Sequence, residues 1–323
     1  SLASGVTSAR VHLFDLVQGP AFKARAADDC FPAPRFQMGG PGFILSQPNL
    51  DSRQAVGARD LADGTEKLRR ARAAGAEWIA FHEAGRFDHD LFLALAAEAR
   101  RQGFRVMVAA DTPANLARGL EAHADTLEYL DRTAAPLADG ALPKDTVLVA
   151  AIGSYGRTAA YRDDPSLVDR PGHFAFMDAE TARAVAEAAK ADLANPKTTP
   201  NWLANVPLVQ AKFRRLLAAG APVVLATDAG SPSLFHDDAI WWELRTWREM
   251  GASADQALTA ATVLPARRVL RDASVGALKA GKRGDFVLYR GDVADGFDQD
   301  RLRAVAKGGV LYVDEGRWVG PPV

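Results

Sequence analysis

From residue 60 to residue 228 the chain repeats one pattern, an amphipathic stretch with apolar positions three and four apart, then a glycine, then a short continuous apolar run. Three copies are plain: Gly75 before Glu77 to Phe81, Gly103 before Arg105 to Ala110, and Gly220 before Val223 to Asp228. Each glycine suits the left-handed turn that ends a helix. Each run that follows has the unbroken apolar character of a strand buried on both faces. Strands alternating with helices predict a parallel sheet.

Adding the weaker copies predicts strands over 7–14, 41–46, 76–82, 104–110, 125–130, 146–152 and 222–228. Seven is one short of a closed (β/α)8 barrel. After Asp228 the pattern changes. Ser253 with Gln256 three residues on predicts a capping box for a helix through Thr262. Residues 284–289 and 310–318 read as strands of a small β-sandwich, the second broken by the turn Asp314-Glu315-Gly316. The expected organisation is a barrel over 1–270 and part of a β-sandwich over 271–323. Two or three strands offer too little apolar area to stand alone, so the second piece is expected to dock on other structure and to show an unpaired edge. The stretches 19–42 and 153–173 are rich in Pro, Gly and charge and read as long loops after strands, where binding residues collect.

Composition narrows the class. At 323 residues, 48% hydrophobic and 24% charged, the chain can bury a large core. A formal charge of -1 argues against a nucleic-acid surface, and Lys67-Leu68-Arg69-Arg70 reads as a solvated helix face. The single cysteine, Cys30, excludes an intramolecular disulfide. No apolar run reaches the ~20 residues that span a bilayer. The expectation is a soluble protein, cytoplasmic or periplasmic, that meets a small molecule and no membrane; a homo-oligomer is compatible with the apolar spacing of Trp241, Trp242, Leu244 and Trp247, as is core packing.

The run Val223-Val224-Leu225-Ala226-Thr227-Asp228-Ala229-Gly230-Ser231 places a carboxylate where an apolar strand breaks into a loop. Downstream come Leu258-Thr259-Ala260-Ala261-Thr262, Pro265 to Leu270, and Val275-Gly276-Ala277-Leu278-Lys279-Ala280-Gly281-Lys282-Arg283-Gly284-Asp285-Phe286. Together these resemble the C-terminal third of the amidohydrolase superfamily, in its imidazolonepropionase-like and prolidase-like branch. The resemblance implies an α/β fold, a (β/α)8 TIM-type barrel with a small β-sandwich, and hydrolysis of a C–N bond in an amide, cyclic amide or dipeptide-like substrate, with Asp228 shuttling the proton. Ser1 to Phe14 resembles the family's second strand, so strand one with its His-x-His is expected upstream of Ser1.

The resemblance also implies metal ligands around the barrel mouth, and here the chain departs from it. Ala80 stands where a carboxylated Lys is expected, and Ala109 and Tyr129 where His is expected. Asp228 alone keeps its type, and His236 matches a histidine that the branch carries before the next helix. A single carboxylate does not hold zinc. No tightly bound cofactor is therefore expected, and Zn only if residues outside this chain or relocated ligands complete the site. Period-two alternation puts Arg10 with His12, His82 with Ala80, and Asp111 with Ala109 on shared strand faces. If these faces point inward, His12, His82, Asp111, Tyr129 and Asp228 converge. Three readings stay open: a retired pocket, a metal-free acid-base site with His82 as base and Asp228 as its orienter, and a shifted metal site. Tyr155, Arg157 and Arg162 are candidates for a substrate carboxylate. A catalytically inactive barrel that binds a ligand or partner is the alternative to a hydrolase.

Overall fold

The computed structural model describes residues 1–12, 14–130, 146–195, 206–231 and 233–321. They divide into two compact units, one of residues 8–149 and 266–272, the other of residues 1–7, 150–265 and 273–323.

In the first unit, β1 (Ser8–Val11) pairs in parallel with β2 (Arg35–Met38). A parallel sheet runs in the order β4 (Ala55–Val56), β3 (Gly42–Ile44), β5 (Trp78–His82), β6 (Arg105–Ala109), β7 (Thr126–Glu128) and β8 (Val147–Ala150). Helices α1 (Gly19–Ala27), α2 (Leu61–Ala73), α3 (His89–Arg101) and α4 (Pro113–Glu121) alternate with these strands. Sequence-local caps start three of the helices: Asp60 accepts from Asp63 N, Asp88 from Leu91 N and Thr112 from Asn115 N. Gly75 and Gly103 end α2 and α3 at φ 82° and 85°. The strands are short and buried, with Ile79, Phe81, Val106, Val108, Leu127 and Val147 essentially inaccessible.

Two elements overturn the expectation of a loop over 19–42. Pro20 fixes the first turn of α1, and the Ala, Lys and Arg that follow are strong helix formers. Arg35-Phe36-Gln37-Met38 forms β2, whose alternation is too short to stand out beside its prolines.

In the second unit, β9 (Val223–Leu225) follows α7 (Val206–Ala218), and Ala226 N–H donates to Ala150 O at 3.0 Å. The expected loop over 153–173 is instead mostly α5 (Ile152–Asp163) and two short 3-10 turns, Pro165–Asp169 and Pro171–Phe174. α5 has no local cap; its N-terminal amides are held by Glu243 from α8 (Ala239–Glu249), distant in sequence. α6 (Ala179–Ala194) precedes α7, and the Ser253–Gln256 capping box starts α9 (Ala254–Ala261). Trp241, Leu244 and Trp247 of α8 are buried.

The C-terminal segment forms a four-stranded antiparallel sheet, β10 (Phe286–Tyr289), β11 (Leu302–Lys307), β12 (Val310–Asp314) and β13 (Arg317–Trp318). β11 was not foreseen: it holds the centre of this sheet, with Val305 and Ala306 buried. β10 is an edge strand, and Phe286, Val287 and Leu288 are exposed at 38%, 42% and 56%. The turn Leu2–Ser4 packs on β11 and β12 within the same unit. Among the described residues no helix is long and apolar enough to cross a membrane.

Candidate functional site

Parallel register stacks the side chains of the first unit in layers. Lowest lie Gln37, Trp78 and Arg105, with Trp78 paired to Arg105 in the sheet. Trp78 Nε1 donates to Gln37 Oε1 at 3.0 Å, Arg105 donates to the same oxygen, and the Arg105 guanidinium lies 4.1 Å from the Trp78 ring. Burial holds Arg105 down to about 10, still cationic at neutral pH. Arg10, opposite Gln37 in the sheet and 4.9 Å from the Trp78 ring, reaches from β1 to β7, donating to Thr126 Oγ1 at 3.0 Å and Glu128 Oε2 at 2.7 Å, while Thr126 Oγ1 donates to Glu128 Oε1 at 2.5 Å. Both Glu128 oxygens thus accept a hydrogen bond.

Further along these strand faces come the imidazoles. His12 follows Arg10 by two residues and His82 follows Trp78 by four, and their ring centroids lie 6.2 Å apart with planes tilted by 32°. Burial pushes His12 down to about 4 and lowers His82 as well; Glu128 pulls against the shift at His12, and Asp111, Glu128 and Glu83 at His82. Both rings are therefore neutral at pH 7. His82 Nε2 is buried with no hydrogen-bond partner among the described residues. Asp111 sits just beyond β6 and accepts from Asn115 Nδ2 at 2.8 Å. Glu83 and Tyr129 each directly follow a strand and hold left-handed backbone, at φ 57° and 67°. Such strain in a side-chain-bearing residue costs about 1–3 kcal/mol and collects at functional sites.

The sequence reading passed over Glu128 in favour of Tyr129. Alternation from Thr126 puts Glu128 on the face that meets Arg10, and only that long-range ion pair reveals it. Ala80 and Ala109, which the resemblance aligns with metal ligands, lie on β5 and β6. A methyl group cannot ligate a metal, so these stations do not fit the ligand set that the resemblance implies.

Asp228, His236, Tyr155 and Arg157 belong to the second unit, as does Arg162. Asp228 lies three residues beyond β9, half-buried and left-handed at φ 53°. His236 Nδ1 lies 3.0 Å from Ser1 Oγ, and burial pushes the ring down to about 4. Arg162 is exposed beside Asp163. Tyr155 is on α5, and its side chain lies outside the described residues.

Around Arg157 the structure assembles a network that local sequence gives no sign of. Arg157 Nη1 donates to Asp238 Oδ1 at 2.7 Å and to Phe235 O at 3.3 Å. Tyr161 OH donates to Asp238 Oδ2 at 3.2 Å and lies 2.9 Å from His173 Nε2. His173 Nδ1 meets Asp237 Oδ1 at 2.8 Å, and its ring stacks on Phe235 at 4.0 Å. Donor atoms of His173, Asp237 and Asp238 come within 4.8 Å of one another, a ligand set in type. Each is already committed: Asp238 to Arg157 and Tyr161, Asp237 to His173, and His173 Nε2 to Tyr161 and to Leu167 O at 3.1 Å. A cation would have to break these bonds beside a buried guanidinium, so the group as built fits a metal poorly.

Comparison with known proteins agrees with the fold. Residues 1–312 match the model of the amidohydrolase family. Over 111 residues the chain is 31% identical to the imidazolonepropionase of Geobacillus kaustophilus, a match that spans 33% of this chain and 26% of that protein. The structure superimposes on a Xaa-Pro dipeptidase with bound methionine in the active site, with a TM-score of 0.71 at 20% identity, covering 97% of this chain and 76% of the other. A putative prolidase from Bifidobacterium longum gives 0.73 at 19% identity, covering 100% and 75%. These likenesses establish an α/β fold of the TIM-barrel type with a small antiparallel sheet. With the family match over nearly its whole length, the chain belongs to the amidohydrolase family.

Proposed function

We propose that this protein is a hydrolase of a C–N bond in an amide, cyclic amide or dipeptide-like substrate, with a degraded metal centre and the His12–His82 pair as its proton-transfer group. The observation that carries the reading is the pair itself. Two imidazoles kept neutral by burial face each other at 6.2 Å, and the Nε2 of His82 lacks a partner. A neutral imidazole carries the free lone pair that general-base work needs, and burial makes these two weaker bases than a solvated histidine. In this scheme His82 takes a proton from water as the water oxygen bonds to the substrate carbonyl carbon. The C–N bond then breaks, and the leaving nitrogen takes that proton from His82. The products are a carboxylate and an amine. Asp111 and Glu128 lie on the same unit and favour the imidazolium formed midway.

The absence of ligand-type side chains at Ala80 and Ala109 favours a second reading, a catalytically inactive barrel that binds a ligand or partner. The test is turnover of imidazolonepropionate and a panel of Xaa-Pro dipeptides by the full chain before and after dialysis against a chelator. Turnover that survives the chelator and falls about 100-fold or more in His82→Asn supports the proposed hydrolase. Turnover that the chelator abolishes, or that His82→Asn leaves intact, overturns it, and saturable binding with no turnover supports the second reading.

A further inference from the structure

We propose that Arg157 is the anchor of a carboxylate-binding site on the second unit, one that recognises the ligand by a two-point fork. The residue is only 1% exposed, and one of its three guanidinium nitrogens, Nη1, meets Asp238 and Phe235 O. The other two, Nε and Nη2, are buried and have no hydrogen-bond partner among the described residues. In a planar guanidinium Nη2 lies on the same side as the Nε hydrogen, so the free pair forms one edge with two parallel N–H bonds. That edge matches the two oxygens of a carboxylate. Buried polar groups in native proteins are nearly always satisfied, and a charged donor edge left bare is the kind of exception that calls for a ligand.

The surroundings support a site rather than a chance gap. Asp238 holds Nη1, Tyr161 holds Asp238, and His173 lies against Tyr161, so the guanidinium is fixed from behind and only the Nε/Nη2 edge is left to offer. Ser233, on the same β9-following loop that supplies Phe235 and Asp238, also has a buried hydroxyl without a partner and a left-handed backbone at φ 59°. Asp237 and Asp238 nearby disfavour a phosphate dianion over a monoanionic carboxylate. The free edge is shielded from bulk water, so a bound carboxylate would be largely dehydrated and its fork correspondingly strong.

The site is read by binding alone, so the outcome is separable from whether the protein hydrolyses anything. The probes are acetate and inorganic phosphate, titrated into the full chain at constant ionic strength made up with chloride. The readout is the ¹⁵N–¹H resonance of the Arg157 Nε–H group, assigned by its loss in Arg157→Lys. The lysine variant keeps a cation for Asp238 and lacks the fork, and its thermal melting shows whether it is folded. The expected result is a saturable shift with acetate, weaker binding of phosphate, and acetate binding to folded Arg157→Lys weakened by about tenfold or more, measured by calorimetry. No saturable shift with acetate, phosphate binding tighter than acetate, or unchanged acetate affinity in the folded lysine variant would overturn the proposal. If Arg157→Lys does not fold, the wild-type titration decides by itself.

Discussion

Glu243 closes the start of a helix it does not belong to, its Oε1 accepting from Ile152 N at 2.7 Å and its Oε2 from Gly153 N at 2.5 Å. Trp247 Nε1 adds a third donor at 2.9 Å. Carboxylates favour helix N-termini because the first amides lack partners and the helix dipole is positive there. Burial opposes the charge, and with those three donors pulling the other way it still pushes Glu243 from 4.5 up to about 8.

Between pH 4.5 and 8 the unfolded chain has released this proton and the folded chain retains it, so stability falls as pH rises through that window. Glu243→Gln removes the term. The slope of wild-type stability relative to the variant should approach about -1.4 kcal/mol per pH unit inside the window and flatten outside it. Urea melts of both proteins at a series of pH values measure it, and parallel curves would show that Glu243 is ionised throughout.

His12 works in the opposite direction. Its folded value of about 4 lies below the ordinary 6.5, so the unfolded chain binds the extra proton first and stability is lost as pH falls from 6.5 toward 4. His12→Gln should remove part of that acid slope. His236, also held at about 4, contributes in the same window, so the double variant His12→Gln/His236→Gln should lose more of the slope than either alone. Equal acid slopes in wild type and double variant would contradict the burial of both rings.

Much of the fold was legible because its strands are buried on both faces. Trp78–His82, Arg105–Ala109, Val147–Ala150 and Val223–Leu225 are near-continuous apolar runs, and Gly75, Gly103 and Gly220 precede the first, second and fourth of them. β2 and α1 were missed because prolines at 32, 34 and 41 mask a four-residue strand, and because α1 is short and only weakly amphipathic. α5 was missed for a different reason: its cap comes from Glu243, some 90 positions away. Site residues follow the same division. Alternation pairs Arg10 with His12 and sets His82 on the face of Ala80. The partners Glu128 and Asp238 are fixed by contacts 118 and 81 residues apart, which no local pattern encodes.

The Arg10–Glu128 pair should matter more to stability than a surface ion pair. Both side chains are largely buried, and Thr126 completes the Glu128 hydrogen bonds. Removing one partner leaves the other charge uncompensated, at a cost of about 3 kcal/mol or more. Glu128→Gln should therefore destabilise strongly, and Arg10→Met/Glu128→Leu should recover much of the loss. A double-mutant cycle by urea denaturation measures the coupling. A coupling near zero would mean that the pair is solvated in solution.

Among the described strands β10 carries the most exposed apolar surface, and it does so at a sheet edge. Its partner β11 occupies one side, with Val287 opposite Val305 and Leu288 opposite Ala304. The other side presents backbone donors and acceptors flanked by Phe286, Val287 and Leu288, the combination that natural sheets guard with charge or proline. Leu288 is the most exposed of the three, so a lysine there loses little packing and adds charge where another strand would pair. Leu288→Lys should leave the free energy of urea unfolding within about 0.5 kcal/mol of wild type. It should also reduce concentration-dependent association, read by light scattering across a dilution series. If Leu288→Lys instead unfolds the C-terminal sheet, the side chain is buried against structure that its exposure here does not reflect. If association is unchanged, the edge of β10 is not the adhesive surface, and the exposed Leu278, at 73%, is the next position to charge.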